Sequence, residues 1–196
     1  MTNLCLWFSN LTINKIHMKN PLLPFAFLII TLISSVQLTA QEFKSLDKSP
    51  MDVATFPSSY TISDKVVKVI YSRPQLNGRD LVKLAPPEKI WRTGANEAVE
   101  ITFYKDVIFG GKALNAGTYS LFTIPSLDGD WTVIINSAKN VWGSYYYKQD
   151  QDVIRVSGKT STIEENIEAF SMMFDKNMTL KMGWGKTVVS VSIKKI

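Results

Sequence analysis

Beyond residue 40 this chain has no cysteine and no histidine; the only copies are Cys5 and His17. Without a thiol, that part of the chain has no disulfide and no thiolate nucleophile. Without an imidazole it has no Ser-His-Asp triad, no histidine acid–base step and almost no zinc chemistry. Acidic residues are missing from the other part, because residues 1–40 hold Lys15 and Lys19 but no Asp or Glu. All 17 acidic residues therefore face all but two of the 22 basic ones after residue 40. The excess of positive charge there is too small and too scattered to imply a nucleic-acid partner, and none is expected. What remains suits one domain with a sizeable core. Composition thus bounds location and fold and leaves activity open.

Residues 18–40 have the layout of a signal peptide. Lys19 supplies a positive start, Leu22 to Ile33 is almost wholly apolar, and Leu38-Thr39-Ala40 ends on a small residue. Cleavage is expected between Ala40 and Gln41. Met18 directly precedes Lys19, so residues 1–17 are read as an extension of the gene model. The alternative is an uncleaved anchor helix, since the apolar stretch approaches spanning length. Pro21, Pro24, Ser34, Ser35 and Gln37 argue against it. No cysteine follows the apolar run, so no lipid can be attached there. The expectation is an exported protein, periplasmic or secreted, with no stable membrane span after cleavage.

Residues 41–64 show no sustained periodicity and read as an extended lead-in segment. From Lys65 the chain alternates in short runs: Val67, Val69 and Tyr71; then Val99, Ile101 and Phe103; then Trp131, Val133 and Ile135. Gly110-Gly111 between Val107–Phe109 and Lys112–Leu114 predicts a hairpin, because paired glycines accept the positive φ of tight turns. Further runs stand at Tyr119–Pro125, Tyr145–Tyr147, Val153–Val156, Phe170–Phe174, Met178–Trp184 and Val188–Ile193. Only Thr162 to Phe170, with Glu164, Glu165, Glu168 and Ala169, has helical composition. The fold class expected is all-β: a single-domain antiparallel β-sandwich over residues 65–196, with at most one short helix.

Several segments resemble the bacterial domain of unknown function 2911 family. They are Ser72-Arg73-Pro74-Gln75-Leu76-Asn77-Gly78-Arg79, Trp91-Arg92-Thr93-Gly94-Ala95-Asn96-Glu97-Ala98 and Ala116-Gly117-Thr118-Tyr119-Ser120-Leu121-Phe122-Thr123-Ile124-Pro125. Trp131-Thr132-Val133-Ile134, Trp142-Gly143 and Asp152-Val153-Ile154-Arg155-Val156 extend the likeness over roughly residues 65–195. The resemblance implies an exported β-sandwich typical of Bacteroidota-like bacteria. It brings no established catalytic or binding residues. Ala85-Pro86-Pro87-Glu88-Lys89 stands where relatives usually show a Pro-Tyr-Gly turn, and Gly185 follows Trp184 where an acidic residue is common. Neither a tyrosine near 87 nor a carboxylate at 185 is therefore carried over.

Two stretches hold candidate ligand-binding residues. In the first, Arg92 offers a planar fork of donors, Asn96 a donor and an acceptor, and Glu97 an acceptor when ionised. Gly94 and Ala95 would let backbone approach a ligand. The competing reading is structural: Arg92 pairs with Glu97, and Asn96 bonds backbone within a tight turn. In the second, Trp142-Gly143-Ser144-Tyr145-Tyr146-Tyr147 is the densest aromatic cluster. It is either a stacking platform for sugar rings or core packing in which Tyr145 and Tyr147 are buried and Tyr146 is exposed. Glu97 and Glu100 are the nearest carboxylate pair for glycoside hydrolysis, but a spacing of three puts them on opposite strand faces, so they cannot face one sugar unless Glu97 lies in the preceding loop. Asp128, Asp130, Asp150 and Asp152 lack the oxygen count of a calcium loop. The sequence calls for no catalytic residue, no metal and no cofactor. Three functions stay open: a non-catalytic module binding a small ligand, glycan or envelope protein; a carboxylate-dependent hydrolase of envelope or extracellular polymers; and a structural envelope protein.

Overall fold

Alternation of period two builds the sheets, since it puts every second side chain on one face. Val67, Val69 and Tyr71 are buried, as are Val99, Ile101 and Phe103, while the residues between them are half-buried. The computed structural model describes residues 43–196, so the leader at 18–40 and the extension at 1–17 lie outside the described residues. A compact unit runs from Leu46 to Ile196. Its elements are β1 (Met51–Phe56), β2 (Val67–Ser72), α1 (Leu81–Leu84), β3 (Val99–Phe103), β4 (Val107–Phe109), β5 (Lys112–Leu114) and β6 (Gly117–Ile124). After them come β7 (Trp131–Asn136), β8 (Asp152–Phe174), β9 (Leu180–Val191) and β10 (Ile193–Lys195). An antiparallel seven-stranded sheet has the order β1-β2-β3-β6-β7-β8-β9, and a three-stranded sheet has the order β10-β4-β5. This is the expected all-β sandwich, curled toward a half-barrel. The lead-in stretch contributes β1, which pairs with β2 from Met51↔Ser72 to Phe56↔Val67.

β8 joins β7 to β9 within the large sheet. Its first part pairs with β7, from Trp131↔Gly158 to Ile135↔Ile154, and its later part pairs with β9. Its far end returns to the start of the sheet. Leu76 N–H donates to Glu168 O at 3.0 Å and Phe170 N–H to Pro74 O at 2.9 Å. Arg73 ties the same seam, donating to Phe170 O at 3.1 Å, Asp52 Oδ2 at 3.0 Å and Ser171 Oγ at 2.8 Å.

The short helix is not where composition put it. Thr162–Phe170 is strand throughout, and α1 is a single turn at Leu81–Leu84. An isolated nine-residue helix gains little by itself, whereas pairing with β9 satisfies the backbone across two register shifts. Ile167 fits there because Gly183 faces it: a Cβ at 183 would lie 2.6 Å from Ile167 Cδ1. The run at Tyr145–Tyr147 is also not a strand. Gly143, at φ +66°, breaks the extended line, and Tyr147 N–H closes a turn onto Ser144 O at 3.2 Å.

Two cores result. The inner one centres on Trp91, stacked on Trp184 with centroids 5.5 Å apart and edge-on to Phe170 and Trp131. A smaller one covers the outer face of β6 and β7, where Ala98, Phe122, Ile134 and Val141 pack with Ile90, Ile124, Ala138 and Tyr147. The predicted hairpin joins β4 to β5, and its Gly110 (φ +54°) presses on β8. A Cβ at 110 would stand 2.7 Å from Val156 Cβ. Gly110→Ala combines left-handed strain with overpacking and is expected to lose about 2 kcal/mol in urea unfolding. Unchanged stability would show that the hairpin does not dock on β8 as described.

Candidate functional site

β6 is paired on one side by β3 up to Val99↔Leu121 and then, two residues further, by Trp91↔Thr123. The seven residues between Trp91 and Val99 therefore leave the sheet as a loop, closed by Val99 N–H donating to Arg92 O at 3.2 Å. Non-glycine residues with positive φ are uncommon, yet the loop holds two, Thr93 and Asn96, both at φ +60°. Thr93 is buried, and its hydroxyl reaches Thr123 Oγ1 at 3.2 Å. Gly94 is required by a close approach, since a Cβ there would sit 3.1 Å from Ser72 O.

This loop meets the aromatic turn. Gly143 N–H donates to Asn96 O and Ala98 N–H to Val141 O, at 2.9 and 2.8 Å. Glu97 and Trp142 form the antiparallel bridge between those two bonds. The two stretches singled out in the sequence thus meet, and Asn96, Glu97 and Trp142 lie side by side. Their meeting depends on positive φ at Asn96 and Gly143, which sequence reasoning could read only as turns.

Trp142, Tyr145 and Tyr146 are exposed to 54%, 82% and 72%, so they point outward from a rim and do not fill the core. The Tyr145 ring lies over the backbone of Gly143, where a Cβ would meet Tyr145 Cδ2 at 2.9 Å. Tyr145 is therefore exposed where packing was expected. Tyr147 packs edge-on to Phe122 at 5.2 Å. Its hydroxyl donates to Asp152 Oδ2 at 2.7 Å and accepts from Arg155 Nη2 at 2.6 Å. Burial, then the bond to Asp152, pushes the Tyr147 phenol up to about 12. Asn136 Nδ2 fastens the other Asp152 oxygen at 2.8 Å and the Lys148 carbonyl at 3.0 Å. Sequence reasoning missed this network, because Asp152 was weighed there only against a calcium loop. It fixes the base of the aromatic turn.

Arg92 does not pair with Glu97: no ion pair joins them among the described residues. Its Nε is buried without a hydrogen-bond partner. Glu100 lies on β3 between Ile70 and Ser120, apart from the bridge that holds Glu97. Elsewhere, an open groove of about 450 Å³ runs past Asp130, Ser157, Lys159 and Ser190. Asp130 spends its oxygens on Thr160 N–H at 2.9 Å and Ser157 Oγ at 3.0 Å. Those bonds hold its carboxyl below the usual range, so Asp130 braces β8. The void beside Trp91, Thr93 and Thr123 measures about 10 Å³, the size of a single water. Among the described residues no cluster of His, Cys, Asp and Glu is arranged to hold a metal, and no helix is long and apolar enough to cross a membrane.

Residues 49–193 match the family described as protein of unknown function (DUF2911). No curated protein and no solved structure matches the chain.

Proposed function

Starting from a chain that belongs to the DUF2911 family, we propose that it is an exported, non-catalytic glycan-binding protein. The observation that carries this reading is the exposure of Trp142, Tyr145 and Tyr146 on one turn that backbone bonds and the Tyr147–Asp152 network fasten from both sides. Sugar rings have apolar faces that stack on aromatic side chains, and a fixed platform loses little entropy on binding. A rim of large apolar side chains kept in water is otherwise unfavourable, and such patches mark interaction surfaces. The export part rests on the layout of residues 18–40. The non-catalytic part rests on the missing histidine and cysteine after residue 40 and on the separate placement of Glu97 and Glu100.

The test is retention on insoluble polysaccharides and on an array of oligosaccharides. The protein is expected to bind a subset, and Trp142→Ala with Tyr146→Ala to weaken binding at least about tenfold, or 1.4 kcal/mol. Because both side chains are exposed, the variant should melt at the wild-type temperature. Failure of the wild type to bind any glycan, or equal binding by the variant, would overturn the reading.

A further inference from the structure

The chain has four arginines, and three of them are occupied. Arg73 donates to Asp52, Phe170 and Ser171. Arg79 donates to the carbonyls of Leu76 and Gln75, and Arg155 to Asp152 and Tyr147. Arg92 donates to nothing among the described residues, and its Nε is the buried side-chain donor left without a partner. A permanently charged group held this way is costly unless something completes it.

Its direction follows from its neighbours. Ile90 packs on the outer cluster and Trp91 in the inner core, so alternation through the Trp91–Thr123 bridge turns Arg92 to the outer face. That is the face of Ala98 and Val141, which lead to Trp142. From Arg92 O to Val99 N, and from Ala98 N to Val141 O, the backbone steps across two hydrogen-bonded neighbours. This places Arg92 roughly 10 Å from the aromatic turn. The terminal guanidinium nitrogens make no hydrogen bond among the described residues and are not fully buried.

The turn adds a second observation. Lys139 and Lys148 bracket it, both exposed and outside every ion pair, and no acidic residue lies between them. Opposing charge is also present, since Asp150 closely follows Lys148 and Glu97 is bridged to Trp142. The geometry points to a glycan bearing carboxylates, a uronic-acid chain, with Arg92 gripping a carboxylate while the aromatic rim stacks on sugar rings. This rests on the glycan reading above. A planar fork matches a carboxylate bidentately, which a lysine ammonium does not.

Calorimetric titrations with an oligogalacturonate, a sulfated galactan oligosaccharide and a neutral galactan oligosaccharide test it. The uronate is expected to bind at least about tenfold tighter than the neutral chain, with affinity falling as salt rises. Arg92→Lys should erase most of that preference and leave neutral binding and the melting temperature unchanged. Equal binding of uronate and neutral chains, or an intact preference in Arg92→Lys, overturns the inference while glycan binding stands. A preference for the sulfated chain overturns the carboxylate assignment. Binding of none of the three, with none found on the polysaccharide array, removes both readings together.

Discussion

Alanine at Trp91 is expected to lower stability by about 3–5 kcal/mol, the range for losing a buried tryptophan. The indole is 5% exposed and touches three aromatic rings drawn from β7, β8 and β9. Those strands are held by long-range pairing, so they cannot collapse onto the vacated volume independently. The void already beside Trp91 would merge with the new one, and unfilled volume adds to the transfer cost. For a unit of this size the melting temperature should fall by about 10 °C or more. Trp91→Phe, which keeps an edge-on ring, should lose less. Thermal unfolding followed by near-ultraviolet circular dichroism checks this. A shift under about 2 °C would mean that the four-ring cluster is not the centre of the core.

Breaking the network under the aromatic turn should have the second-largest effect. The Asp152 side chain is 8% exposed and accepts from Arg155 Nε, Tyr147 Oη and Asn136 Nδ2. Asp152→Ala strands all three donors. Breaking a buried pair from one side costs 3–5 kcal/mol, but the Arg155 side chain is 35% exposed and water relieves part of that. About 3 kcal/mol is the expected loss. Because Tyr147 ends the aromatic turn, glycan affinity should drop in the same variant although Trp142 and Tyr146 are untouched. The phenol adds a pH signature. Its proton is held more tightly in the folded chain, up to about 12 against an ordinary 10.0, so the folded state binds more protons in that window. The stabilisation is complete below pH 10 and is lost as pH rises toward 12. Tyr147→Phe, which has no such proton, should show a flatter stability profile there. Matching profiles would show that the hydroxyl is not buried in the network.

How much was legible in the sequence follows from how local each feature is. Val67, Val69 and Tyr71 reveal their strand because alternation acts within a few residues, and Gly110-Gly111 reveals its turn for the same reason. The length of β8 was not legible. Val153–Val156 and Phe170–Phe174 read as separate runs because the exposed Glu164, Glu165 and Asn166 between them suit helix or loop equally well. Only β9, with Gly183 making room for Ile167, decides the matter. The candidate site divides in the same way. Its residue types and two segments were visible, but their union depends on hydrogen bonds between Asn96 and Gly143 and between Ala98 and Val141. The Arg92–Glu97 pair was plausible from proximity in sequence alone. Backbone strain at Thr93 and Asn96 settles a loop geometry in which Glu97 faces Trp142 instead.

The seam where β8 returns to the start of the sheet constrains the order of events in folding. The Tyr71 hydroxyl bonds the Met172 carbonyl, 101 residues away along the chain, and the Pro74–Leu76 edge is covered only by Glu168 and Phe170. A growing chain therefore displays that edge, ready to pair with any other strand, until almost all of it has been synthesised. Closure must await the last third of the polypeptide, which makes folding slow and late. A delayed closure of this kind would suit the export proposed above, in which the polypeptide stays unfolded while it crosses a bilayer.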